Sequence, residues 1–171
     1  MRCTRMIDRA KATDKLSKLV EKRLTSQQMY WSAEVDFDKN TDDNRRIDYV
    51  GFKAYTPDYV TTPVSVEKGT FVCYEVKSCW NDFKSGHGLS FYGDENYLVC
   101  PKELAEEIIA KQAVDRRNLN GILVPNKSGT ALYQKYELQN THLTARTRNA
   151  SEMLWAIVQA HQRPRRVEED K

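Results

Sequence analysis

The sequence predicts an α/β protein with a mixed central sheet flanked by helices. Three observations lead there. The run Phe71-Val72-Cys73-Tyr74-Glu75-Val76-Lys77-Ser78 is apolar, aromatic and β-branched. Its two alternating faces are both apolar at first, the pattern of a central strand covered on both sides. Around it, segments of helical period alternate with strand-like segments instead of segregating into separate halves.

Taken in order, residues 1–10 are polar and basic and read as a frayed tail, as do residues 164–171. From Ala12 to Tyr30 the pattern is helical, with Leu16, Leu19, Val20, Leu24 and Trp31 recurring on one side at about 100° per residue. Glu21 lies at the margin of that stripe. Arg23 falls inside it, which requires the side chain either to snorkel or to face a charged cleft. Glu34-Val35-Asp36-Phe37 alternates as an edge strand, and Lys39 to Asn44 is a polar turn. Arg45 to Phe52 forms a second strand, joined to the central one by an extended loop from Pro57 to Gly69.

After Lys77 comes a loop or short helix, Ser78 to Lys84, then a glycine-rich stretch from Ser85 to Asp94. Asn96 to Cys100 is a buried-strand candidate closed by Pro101. Lys102 to Gln112 is an amphipathic helix with Leu104, Ile108 and Ile109 inward. Gly121 to Val124 and Ala131 to Tyr133 read as a hairpin around Asn126–Gly129. Ala150 to Gln162 is the last helix. Asn149 is placed to cap it, with Glu152 three residues on, and Pro164 follows its end.

A chain of 171 residues that is 40% hydrophobic suits one domain, residues 1–171, with a real core. Its net charge of +3 permits nucleic-acid binding without demanding it. The arginines are clustered, at Arg45 and Arg46, at Arg146 and Arg148, and at Arg163, Arg165 and Arg166. The four cysteines, Cys3, Cys73, Cys79 and Cys100, contain no C-x-x-C pair, which argues against a zinc ribbon. Cys73 and Cys100 lie in strand-like runs and read as reduced core residues, consistent with a cytoplasmic protein. There is no apolar signal-peptide core and no run long enough to span a bilayer, so no membrane association is expected. The composition is compatible with a homodimer.

The chemistry centres on Glu75 and Lys77. Spaced by one residue on a strand, they point to the same face. Buried charges are costly unless paired or bound to a metal. Either the two form a structural ion pair, or they belong to a metal-dependent phosphodiesterase site that also draws on Asp48 in the preceding strand.

A helix bearing Glu21, a strand with Asp48 and a strand with Glu75-Val76-Lys77 resemble the core of the PD-(D/E)XK nuclease superfamily. In that family the acid of one strand and the E-x-K of the next meet at one end of the sheet. Ile47 stands where the family has its nominal proline. A nearer likeness is to small MmcB-like bacterial and phage proteins regarded as DNA-repair proteins. It rests on Arg45-Arg46-x-Asp48, then Glu75-x-Lys77-Ser78, then Asp82-Phe83. It covers roughly residues 12–163 and fails over Gly86–Asp94 and Pro57–Gly69.

The resemblance implies a restriction-endonuclease-like core and a DNA endonuclease using Mg²⁺, with Mn²⁺ able to substitute. Asp48, Glu75 and the main-chain carbonyl of Val76 would be metal ligands, and Lys77 would sit near the scissile phosphate. Glu21 would complete the site, with Glu34 as its rival. Mg²⁺ suits such a set because it takes one or two carboxylates and keeps several waters. Arg45, Arg46, Lys84, His87, Arg146 and Arg148 are candidate DNA contacts, and Phe91 and Tyr92 either stack on bases or cover the core. The alternative function is a non-catalytic adaptor of the same fold that binds DNA or a protein partner.

Overall fold

A computed structural model describes residues 6–86, 89–139 and 145–161. The tail assignments at 1–5 and 164–171 lie outside those residues. So do the DNA-contact expectation for His87 and the arginine cluster Arg163, Arg165 and Arg166.

Helix α1 (Met6–Ser26) leads into strands β1 (Tyr30–Phe37), β2 (Arg45–Lys53) and β3 (Thr70–Val76). A short helix α2 (Trp80–Lys84), strand β4 (Glu95–Val99), helix α3 (Lys102–Ala110), strands β5 (Gly121–Pro125) and β6 (Leu132–Glu137), and helix α4 (Ala150–His161) complete the chain. The six strands form one sheet in sequential order. β1, β2 and β3 are mutually antiparallel, β3, β4 and β5 run parallel, and β6 returns antiparallel to β5. The expected mixed α/β architecture is the one observed.

The two faces of β3 account for the layering. Val72, Tyr74 and Val76 pack with Leu16, Leu19, Val20 and Leu24 of α1. On the opposite face, Phe71 and Cys73 pack with Met153, Ala156 and Ile157 of α4. Further along that face, α3 buries Leu104, Ala105 and Ile108 against Leu98, Ile122 and Val124. Glu75 shares the Phe71–Cys73 face by alternation, and so lies between the α4 and α3 clusters.

Three sequence expectations are corrected. Residues 6–10 are helical, not frayed, because α1 is pinned there by Arg9, which pairs with Asp82 at 2.6 Å. Trp31 belongs to β1, not to the α1 stripe; it still packs on that side, tilted against Tyr49 at 6.0 Å. β6 runs on to Glu137, past the expected Tyr133. Tyr133, Gln134 and Glu137 are exposed on this edge strand, so apolar alternation cannot mark its length.

β1 also changes faces partway. Trp31 and Ala33 pack on the α1 side, whereas Val35 and Phe37 pack on the α4 side. The switch is at Glu34, whose φ of 51° is left-handed. Near the other end of β2, Gly51 lets α1 approach closely: a Cβ there would stand 2.5 Å from Leu24 Cδ2 and 3.2 Å from Met29 Sδ. Gly51→Ala is expected to destabilise the fold by roughly 1–3 kcal/mol through overpacking, read as a lowered midpoint in urea unfolding. Among the described residues no helix is long and apolar enough to cross a membrane.

Candidate active site

The β2–β3 ladder pairs Lys53 with Thr70 at one end and Tyr49 with Tyr74 at the other. One step beyond that last pair, Asp48 comes opposite Glu75. There the Asp48 side chain continues the ladder: its Oδ2 accepts the Val76 N–H at 2.7 Å. This bond ties the carboxylate to the end of β3. Lys77 lies just past the strand, and its main-chain N–H donates to the Val99 carbonyl at 2.9 Å. The backbone under the Lys77 side chain is thereby fixed, and the residue is only 6% exposed.

Glu75 is 0% exposed. Neither of its carboxylate oxygens meets an N–H or O–H donor among the described residues, and the neighbouring Asp48 carboxyl can bond it only when one of the two is protonated. The main chain of Ser90 stands nearby and favours the ionised form, but does not reach hydrogen-bond geometry. A buried carboxylate left this way costs free energy unless it takes up a proton or a cation. Burial, and then the Asp48 charge, push the Glu75 carboxyl well above the usual carboxylate range; Lys77 opposes them. Burial raises Asp48 as well, while the Val76 N–H and Lys77 pull it back. The two carboxylates therefore retain a proton between them when nothing else neutralises them.

The remaining expected residues fall into distinct positions. Glu21 accepts a hydrogen bond from the Tyr49 hydroxyl at 2.8 Å. Tyr49 belongs to the α1-side core, so Glu21 is held on the face opposite Glu75 and is not brought to the Asp48–Glu75 pair. Glu34, its rival, lies in β1 between the Ala33–Tyr49 and Val35–Ile47 pairs, where the ladder skips it. Among the described residues no group of three or more His, Cys, Asp or Glu side chains could hold a metal. Among the described residues Asp48 and Glu75 are thus two side-chain oxygen donors without a third.

Arg45, Arg46 and Lys84 are exposed. Arg146 instead holds the loop before β3, donating to the carbonyls of Glu67 and Gly69 and pairing with Asp94 at 3.3 Å. Arg148 forms a two-pronged pair with Asp38, bonds Glu152 at 3.1 Å and stacks over Tyr92 at 4.6 Å. Neither arginine is exposed as Arg45 and Arg46 are. Asp38 and Asp94 are the partners that sequence reading missed; both are far along the chain from the arginines they bind, so no local spacing marks them. Ser78, Asp82 and Arg9 form a further cluster: Asp82 Oδ2 accepts the Ser78 N–H at 3.1 Å and its Oδ1 binds Arg9. It braces α2 behind Lys77.

Leu89 to Asp94 lies over the face that carries Glu75. Leu89 and Phe91 pack on the α3 cluster, and Tyr92 meets Phe37 edge-on at 5.1 Å. Phe91 and Tyr92 thus cover the core, one of the two roles expected for them.

No protein-family model matches the chain, and neither does any curated protein sequence. Among solved structures, a protein of unknown function from Silicibacter pomeroyi is similar, with a TM-score of 0.53 at 15% sequence identity over 87% of this chain and 82% of that one. At that identity the likeness shows a shared α/β fold.

Proposed function

We propose that the protein is a divalent-metal-dependent deoxyribonuclease with a PD-(D/E)XK arrangement of Asp48, Glu75 and Lys77. The observation that carries this reading is Glu75, a fully buried carboxylate with no donor for either oxygen among the described residues, opposite a second carboxylate. Such a pair fits a hard cation, which would satisfy Glu75 and remove the repulsion from Asp48 at once. Asp48, Glu75 and the Val76 carbonyl would hold Mg²⁺ or Mn²⁺. When bound, the ion acts as a Lewis acid on a phosphate oxygen and lowers the pKa of its water.

The chain's own residues supply the rest. Lys77, anchored through its main chain, offers an ammonium to the charge that develops on the phosphate. Val76 fixes the Asp48 carboxylate through its N–H. Arg45, Arg46 and Lys84 offer exposed cations to phosphates on either side, contacts that set position without reading sequence.

One observation favours the non-catalytic adaptor. With two side-chain oxygen donors and no third among the described residues, Asp48 and Glu75 can also be satisfied by a shared proton. Calorimetric titration separates the readings. The wild type is expected to bind one Mn²⁺ or Mg²⁺, and Asp48→Asn to weaken it by about tenfold or more, that is, about 1.4 kcal/mol or more. Equal affinity in the two proteins would remove the metal assignment.

A further inference from the structure

Arg23 breaks the apolar stripe of α1. It lies beside Val20 and Leu24, both fully buried, on the helix face turned to the sheet. Its Nε donates to the Tyr74 hydroxyl at 3.4 Å, a long bond to a neutral acceptor. A guanidinium carries five N–H donors in a fork that suits planar or tetrahedral oxyanions. Most of those donors are uncommitted, and Arg23 forms no ion pair among the described residues.

The guanidinium opens onto a groove of about 260 Å³ whose walls include Lys53, Thr70, Met29, Val72 and Glu95. Lys53 and Thr70 are the terminal pair of the β2–β3 ladder, so the groove lies at the end of the sheet away from Asp48 and Glu75, and on the opposite face. The exposed Lys53 likewise makes no ion pair among the described residues. Glu95 also lines the groove. Its carboxylate accepts from the Tyr97 hydroxyl at 3.0 Å and forms no ion pair with Arg23 or Lys53. Tyr97 in turn stacks on Tyr74 at 5.7 Å, which steadies the hydroxyl that Arg23 touches.

We propose that this groove binds a small phosphate monoester. Arg23 and Lys53 would hold the phosphate, and its apolar body would rest on Met29 and Val72. Two cations facing one open volume suit a dianion better than a single carboxylate, and charge-assisted bonds from Arg to phosphate are among the stronger ones. Glu95 repels the anion from its own side of the groove and so turns the phosphate toward the two cations. The site is independent of the nuclease reading.

Titration of the full chain with phenyl phosphate, inorganic phosphate and benzoate tests this, followed by calorimetry or by amide shifts. Phenyl phosphate is expected to bind saturably at one site, at least tenfold tighter than either of the others. Arg23→Gln and Lys53→Gln should each weaken it tenfold or more, whereas Asp48→Asn should leave it unchanged. Lys53 is exposed, so Lys53→Gln decides the matter if Arg23→Gln does not fold. Absence of saturable binding, affinity unaltered in Lys53→Gln, or loss in Asp48→Asn would overturn the site. Benzoate binding as tightly as phenyl phosphate would overturn the choice of phosphate.

Discussion

Lys77→Ala is expected to yield a folded, metal-binding protein whose phosphodiester cleavage is at least about a hundredfold slower, roughly 3 kcal/mol of lost transition-state stabilisation. The substitution removes an ammonium and leaves Asp48, Glu75 and the strand in place. The opposite expectation is that Lys77 serves only as the counter-ion of Glu75. In that case the variant would strand a buried charge, at roughly 3–5 kcal/mol of folding stability. Burial and then Asp48 hold Glu75 well above the usual carboxylate range, and Lys77 opposes them. Melting temperature and cleavage rate on one preparation distinguish the two. A variant that melts far below wild type and shows no specific loss of cleavage would assign Lys77 to the core.

Glu75→Gln is expected to stabilise the metal-free protein while abolishing metal binding. The side chain is fully buried and its oxygens lack donors, so ionising it costs free energy that a neutral amide avoids, roughly 1–3 kcal/mol. The pH dependence follows from the direction of the shift. The folded-state value lies above the unfolded one. Below the ordinary glutamate value, about 4.3, both states hold the proton and Glu75 causes no loss. As the pH climbs towards and past the raised folded value, the unfolded chain ionises freely while the folded one resists, and stability falls. Glu75→Gln should therefore raise the melting temperature little at pH 4 and most at pH 8. Divalent metal should recover the difference in the wild type alone. A variant less stable than wild type at pH 8 without metal would mean that Glu75 is well satisfied in the core.

The fold was readable because hydrophobic period and breakers agree along most of the chain. The apolar Phe71–Val76 run is β3, and Leu16, Leu19, Val20 and Leu24 are the buried stripe of α1. Trp31 was misread because a residue just after a helix can fall on the helix's angular stripe by chance, when the chain has already turned at Gln28, whose φ is 55°. The opposition of Asp48 and Glu75 was open to sequence reasoning, since it needs only two adjacent strands. The side of the sheet taken by Glu21 was not, because it depends on the rotation of α1 and on the Tyr49 hydroxyl. The engagement of Arg146 and Arg148 was equally hidden: Asp38 is 110 residues from Arg148, and nothing local links them. Arg23 was visible as an irregularity in the α1 stripe. The groove it opens onto takes shape only when Lys53, Thr70 and Glu95 are brought to one end of the sheet.

The most direct measurement is cleavage of single-stranded, duplex and branched DNA by the wild type in Mg²⁺, in Mn²⁺ and in EDTA, with Lys77→Ala alongside. If Asp48, Glu75 and Lys77 form a phosphodiesterase site, at least one substrate is cut in Mg²⁺ or Mn²⁺, EDTA stops the reaction, and Lys77→Ala slows it at least about a hundredfold. A wild type that cuts none of the substrates, or cleavage that persists in EDTA or in Lys77→Ala, would contradict it.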